Sequence, residues 1–466
     1  MKTVHCASAW GLALGLGLSL TTAAQAAPEY RAEACCQLCP AAADANQYLA
    51  PGLATYRRLI TAQDDWLFRS ESDLRTRFGL DEQGYKQLKR LRNALKHAGV
   101  ELMVIYPPSR GLLHADKLNP AERNVYDQAA ARRDYLATLD HLRNLDIWVP
   151  NMTSLLDAPA GGSPYYFKGD VYWTPRGAER TAQLAADTAR GIPALKSLPA
   201  QTFVSRPMGM VGRNGGLYRA AAQICGAGYP SQFVERYSTT LVSGETPQPS
   251  RVVLVGSGNS GVAFNFSGFL EQYLGTPVSN ATLDGGGYEY SLLHYLASDS
   301  FRKAPPALLI WELDDTDALL QRNFYRQAIP AVADGCNGRP ALLQNHAQLK
   351  AGANQVLFNG ADGVHPIRGS DYRLDLQFDD PSVQQLTAVL TFMNGRQENL
   401  NLTQPANYRG TGRFQLELRE DADWDELTFL SLEVQQPAGT ASGLSARLCN
   451  AQSDAAPVRV AHAEAP

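Results

Sequence analysis

Apolar and polar positions along the 466-residue chain change period several times, and each change marks a different kind of element. Met1 to Ala26 opens with Lys2, continues as an apolar run from Trp10 to Leu20, and ends in Ala24-Gln25-Ala26, an A-x-A cleavage site. Residues 1–26 therefore read as an export signal, and the apolar run is too short for a membrane span. From Asp64 strand and helix patterns alternate. Asp65 to Phe68 is a short apolar strand signal, and Asp81 to His97 places Tyr85, Leu88, Leu91 and Leu95 on one helical face. Gly99 ends that helix, and Val100 to Tyr106 runs as a strand to Pro107-Pro108. The spacing predicts a helix over Ala121 to Leu142, a strand over Asp146 to Pro150, and an Ala-rich helix over Arg176 to Arg190, capped by Thr174 with Pro175 behind it. Val252 to Val255 is an unbroken apolar run, the mark of a parallel strand covered on both faces, Ala307 to Leu313 is another buried strand ending in Trp311-Glu312-Leu313, and Tyr288 to Leu296 is a helix between them. Residues 27–335 are thus expected to form a three-layer α/β domain around a parallel sheet.

At Cys336 the period shortens to two. Tyr372 to Phe378, Leu386 to Phe392, Phe414 to Leu418 and Leu427 to Val434 alternate, with turns at Asn394-Gly395, Pro405 and Gly410 to Gly412. Short strands with frequent turns predict a β-sandwich over 336–450. Residues 451–466 dissolve into Ala, Pro and small polar residues, a disordered tail by composition.

The net charge of −4 gives no electrostatic reason to expect a nucleic acid, and no later segment is apolar enough to span a membrane. Beyond Cys6 the cysteines are Cys35, Cys36, Cys39, Cys225, Cys336 and Cys449. In an oxidising compartment they favour disulfides. One bridge from the Cys35–Cys39 cluster to Cys225 ties down the N-terminal segment, with Cys39 favoured, and Cys336 and Cys449 bracket the sandwich. Cys35-Cys36-x-x-Cys39 has the look of a zinc half-site, but no second Cys/His pair follows, so no metal is expected.

Candidate chemistry gathers at two loops. Val252 to Val255 leads into Gly256-Ser257-Gly258-Asn259-Ser260-Gly261, a strand-to-helix turn at the carboxyl end of a parallel strand, where α/β folds place ligands. A serine there can act as a nucleophile, and the same turn equally serves any tight connection. Asp170 and Tyr172 precede the helix at Thr174, in a stretch dense with Tyr165, Tyr166, Phe167 and Trp173. The carboxylate there orients a base or caps a turn, and the aromatics suit a sugar ring or a core.

The Cys-Cys-x-x-Cys, Asp-x-Trp-Leu-Phe, Asp-x-Tyr-Trp-Thr-Pro, Leu-Val-Gly-x-x-Asn-Ser and Leu-Leu-Ile-Trp-Glu motifs occur in this order ahead of the Cys-bracketed sandwich. Together they resemble the AlgX family of alginate biosynthesis proteins over nearly the whole mature chain. The resemblance implies an SGNH hydrolase-like, alginate O-acetyltransferase-type domain followed by a carbohydrate-binding module. It further implies a periplasmic location, alginate (polymannuronate) as ligand, other periplasmic and outer-membrane components of the export complex as partners, and no cofactor. It implies the same disulfides, the Cys35–Cys39 region with Cys225 and Cys336 with Cys449.

The family's catalytic pattern departs at two positions. Its acid-base loop reads Asp-x-His-Trp-Thr-Pro, and Tyr172 stands in the histidine's place beside Asp170. Its nucleophile turn reads Gly-Thr-Ser-x-Ser, and Gly258 stands under the nucleophilic serine. Glycine has no nucleophile, and a tyrosine with an ordinary pKa of about 10 is a poor base near neutrality. The expectation is a silent or impaired protein that binds alginate through a groove lined by Tyr172 and Trp173, with extra room at Gly258. The alternative is an active O-acetyltransferase using Ser257 or Ser260 with a displaced histidine, His114 or His294. A third is a structural part of the export complex. On the sandwich, Arg368, Arg373, Arg396, Arg409 and Arg413 are candidate uronate contacts, with Arg373 and Arg396 foremost.

Overall fold

The strand Val252–Val255 is buried along its whole length, as four apolar residues with no polar face require. In the computed structural model, which describes residues 37–157, 163–314, 322–361, 363–405, 410–421, 423–437 and 442–451, it lies inside a parallel sheet. The export signal, Cys35, Cys36, Arg409 and the tail from 452 lie outside the described residues. In chain order, β1 (Leu59–Thr61) and β2 (Leu67–Arg69) make a small antiparallel pair, and β3 (Glu101–Ile105) enters the main sheet. β4 (Phe203–Arg213) and β5 (Gln232–Leu241) form a separate antiparallel ribbon. β6 (Val252–Val255), β7 (Val278–Asn280) and β8 (Leu308–Glu312) complete the main sheet in the order β3-β8-β6-β7, every pair parallel.

Two sequence expectations are corrected here. The helix over Ala121 to Leu142 is two helices, Pro120–Val125 and Gln128–Asn144, because the Asp127 carboxylate accepts from the Ala130 N–H at 2.8 Å and starts a new helix. Asp146 to Pro150 makes only a parallel bridge, Trp148 with Met103, at the β3 edge. Asp146 has a left-handed φ of 58°, and Pro150 has no N–H to extend the pairing.

The sandwich holds β9 (Ala341–Gln348), β10 (Gly352–Phe358), β11 (Tyr372–Phe378), β12 (Gln385–Phe392), β13 (Gln397–Thr403), β14 (Arg413–Glu417), β15 (Phe429–Gln436) and β16 (Gly443–Asn450). They form two antiparallel sheets, ordered β10-β15-β12-β13 and β14-β11-β16-β9, around an apolar core that includes Leu374, Leu390, Phe392 and Leu432. Disulfides join Cys39 to Cys225 and Cys336 to Cys449, with Cα atoms 6.0 and 5.8 Å apart.

A charged seam fastens the sandwich to the α/β unit. Arg326, on the helix Arg322–Val332, donates to Glu398 at 2.5 and 3.2 Å and to the Glu417 carbonyl at 2.9 Å. Arg90, on the helix Glu82–His97, reaches the Glu417 carboxylate at 2.9 Å. Glu398 and Glu417 are both buried, so each carboxylate has its compensating guanidinium at hand.

Candidate functional site

The turn after β6 is built around a buried carboxylate. Glu312, the last residue of β8, is completely enclosed and accepts from the Ser257 N–H at 2.8 Å, the Ser257 hydroxyl at 3.0 Å and the Ser260 hydroxyl at 2.9 Å. Ser257 in turn caps a short 3-10 turn, its oxygen accepting from the Asn259 N–H at 3.1 Å. A side chain at Gly256 has no room here, since a Cβ would lie 2.4 Å from the Ser260 oxygen and 2.5 Å from Glu312. Glycine is therefore needed for close packing.

Burial pushes the Glu312 carboxyl up to about 8, against the pull of its hydrogen bonds from Ser260 and Ser257. The ordinary value is 4.5, so stability from this group is complete below pH 4.5 and falls as pH rises toward 8, because the unfolded chain ionises first. Glu312→Gln is expected to remove that fall, on the order of a few kcal/mol, with the amide oxygen keeping the bonds from the Ser257 N–H and Ser260 and the NH2 turned to the Ser257 oxygen, at the loss of the 3.3 Å bond from the Asn259 amide. Denaturant unfolding between pH 5 and 8 checks this. An unchanged slope in the variant would show that Glu312 does not titrate there.

Asp170 is 1% exposed and accepts three hydrogen bonds. It accepts from Arg213 Nε at 2.5 Å, the Gly216 N–H at 3.1 Å and the Val171 N–H at 2.9 Å. Arg213 comes from the end of β4 and lies over the rings of Phe264, Tyr172 and Phe167 at 5.1, 5.2 and 5.5 Å. Beneath the loop, the enclosed Arg110 donates to the carbonyls of Leu67, Phe167, Lys168 and Asp170 at 2.7–3.1 Å. This one guanidinium supplies donors that an irregular buried loop otherwise lacks.

Tyr172 lies directly on Gly258. A Cβ on Gly258 would fall 2.5 Å from Tyr172 Cε1 and 2.6 Å from its hydroxyl. The extra room expected at Gly258 is thus absent, because the tyrosine ring fills it. Burial, then Asp170 and Asp314, push the phenol above its ordinary value, so it is a proton donor at neutral pH.

The structure brings Asp170, Tyr172, Trp173, Ser257, Gly258 and Ser260 together, but in different roles from those expected. Trp173 is wholly buried, with its N–H and indole N–H each 3.0 Å from Asn259 oxygens, so it clamps the two loops instead of facing a sugar. Tyr165, Tyr166 and Phe167 are core. Ser257 and Ser260 are 4% and 0% exposed and turn toward Glu312. His114 packs on Trp66 with ring centres 4.3 Å apart and accepts from the Tyr166 N–H, and burial pushes it down to about 3, so it is a neutral core imidazole. His294 lies on the helix Gly287–Leu296.

On the sandwich, Arg373 is 7% exposed beside Glu417, and Arg413 is held between Asp334 and Asp375 at 2.6 Å, which removes both from the exposed cations. Arg368 donates to Thr428 at 3.0 Å. Arg396 keeps a partly exposed head, stacked on Trp424 at 3.9 Å and paired with Asp423. Sequence reasoning missed Arg110, Arg213 and Glu312. Only Glu312 left a signal, a charge closing a buried apolar run.

Residues 59–315 match the family model of the SGNH hydrolase-like domain of the acetyltransferase AlgX, and residues 335–462 match a C-terminal carbohydrate-binding module. The alginate biosynthesis protein AlgX of Pseudomonas aeruginosa is 41% identical over 94% of this chain and 95% of its own length. The chain belongs to the AlgX family. A solved structure of Pseudomonas aeruginosa AlgX superposes with a TM-score of 0.82, covering 88% of this chain and 99% of that one at 41% identity. The α/β unit also resembles a probable alginate O-acetylase, AlgJ of Pseudomonas fluorescens, at 29% identity over 55% of this chain and 67% of that protein. The AlgX architecture of an SGNH hydrolase-like unit followed by a carbohydrate-binding module is therefore the architecture of this chain. Among the described residues no helix is long and apolar enough to cross a membrane.

Proposed function

We propose that this member of the AlgX family binds alginate in the periplasm during its O-acetylation and export, with its own acyl-transfer centre silent. The observation that carries the reading is the contact of Tyr172 with Gly258, which fills the place of a nucleophile with the ring that replaces the base. Acyl transfer needs a hydroxyl and a base able to take its proton. Ser257 and Ser260 lie against Glu312 but are 4% and 0% exposed and turn inward, so neither hydroxyl is presented to an acyl donor. The A-x-A site after the apolar leader and the two disulfides support an oxidising compartment. Partnership with other components of the export complex rests on kinship with AlgX alone.

The test is turnover of a chromogenic acetyl ester by the purified mature chain, alongside retention on immobilised polymannuronate. Background turnover with clear retention is expected, and Ser257→Ala and Ser260→Ala should leave turnover where it is. A rate that falls in either serine variant would instead make the chain an acetyltransferase with a displaced nucleophile.

A further inference from the structure

The loop that carries Asp170 and Tyr172 also lines a second cavity, through Tyr165 and Lys168. It measures about 620 Å³ and is bounded further by Trp66, Lys117, Arg123 and Arg180. That volume holds one or two sugar rings. Its ionic lining consists of Lys117, Arg123, Lys168 and Arg180 against Asp64 and Asp116, an excess of two positive charges (4 − 2) in a chain whose net charge is −4.

The four cations differ in what they already hold. Lys117 lies 3.0 Å from Asp64 and 3.7 Å from Asp116, and Arg123 donates to the carbonyls of Asp116 and Leu118 at 2.6 and 2.9 Å. These two build the wall. Lys168 is fixed through its backbone, donating to Gln232 at 2.8 Å and accepting from Arg110 at 3.1 Å, while no carboxylate among the described residues pairs with its ammonium or with the Arg180 guanidinium. Two partly buried cations on neighbouring elements thus border one open-mouthed cleft, and among the described residues no carboxylate pairs with either. His114, also in the lining, stays neutral and adds neither charge nor repulsion.

We propose that this cavity is a subsite for an acidic sugar, whose carboxylate sits between Lys168 and Arg180, separate from the Tyr172–Gly258 contact. The requirement for an anion rests on the cavity. The choice of a uronate rests on the alginate reading above. Arg supplies a planar, two-pronged donor to a carboxylate and Lys a point charge, so the pair recognises a single carboxylate with both direction and strength.

The experiment is calorimetric titration of the full mature chain with trimannuronate, the mannuronate monomer and neutral mannotriose, at low and moderate salt. It is run on the natural sequence, on Lys168→Glu with Arg180→Glu, on the milder Arg180→Gln, and on Tyr172→Ala. Trimannuronate affinity is expected to fall at least about tenfold in the double reversal and by a smaller factor in Arg180→Gln, to weaken with salt, and to persist in Tyr172→Ala. A monomer that binds as tightly as the trimer also supports the subsite and identifies a free sugar acid as its source. Loss in Tyr172→Ala with no change in the charge variants overturns the subsite and leaves the binding role intact. Loss in both means one continuous groove, and equal binding of mannotriose means no acid recognition; either overturns the proposal. Absence of binding to the natural chain overturns the subsite, and with retention on polymannuronate also absent it overturns the binding role as well.

Discussion

A chain carrying both Gly258→Ser and Tyr172→His is expected to turn over a chromogenic acetyl ester at least about 10²-fold faster than the natural sequence, while either single change stays at background. The reason is steric before it is chemical. With Tyr172 in place, a serine Cβ at 258 would sit 2.5 Å from the ring, and the ring must leave or the turn must shift, at about 1–3 kcal/mol. Gly258→Ser alone should therefore lower the melting temperature without gaining a base. Tyr172→His alone gains a base and has nothing to deprotonate. Together the smaller imidazole vacates the space, and Asp170 has an acceptor position to orient it. An ionised carboxylate offers about four, and Arg213, Gly216 and Val171 use three. Ester hydrolysis and thermal unfolding of the three variants decide the matter. An active Gly258→Ser single variant would mean that the tyrosine moves freely and that another group serves as base.

Arg110→Met is expected to lower unfolding free energy by about 3–5 kcal/mol, the range for removing one partner of a buried charged cluster. Arg110 is wholly enclosed, packs under the rings of Trp66, Phe68 and Tyr166, and lies 3.5 Å from Asp73. Methionine keeps much of the volume and loses every donor. The carbonyls of Phe167 and Asp170 then lose the bonds that fix the loop, and Asp73 loses one charged neighbour while keeping Arg69. Guanidinium denaturation followed by tryptophan fluorescence measures the loss. A change below about 1 kcal/mol would show that water replaces the guanidinium and that the loop is not organised around it.

The frame of this molecule was legible because its main elements have local signatures. Val252 to Val255 reads as a covered strand and Thr174-Pro175 as a helix start, and both are so. The β4–β5 ribbon escaped because Pro207 and Gly209 interrupt its alternation and because Met208, Met210 and Phe233 are exposed, against the rule by which strands are recognised. The helix before Asn144 was read as one because its apolar period continues through the break, and only the Asp127 cap divides it. In the site, residue types at 170, 172 and 258 were readable one by one. Their meeting was not, since Tyr172 and Gly258 are distant in sequence and their contact depends on the sheet that joins them. Trp173 shows the same limit, as an aromatic beside a loop looks identical whether it faces a ligand or clamps the loop shut.

The charged seam also bears on how a long ligand is handled. With Arg326 locked to Glu398 and Arg90 to Glu417, the sandwich and the α/β unit have no hinge at these points to freeze when a polymer lies across both. On the proposed binding role, a polymer held by one unit would meet the other at a spacing set by the protein, and so at a high effective concentration. Such a fixed spacing would act as a ruler, favouring chains long enough to reach both units over shorter ones held by one alone.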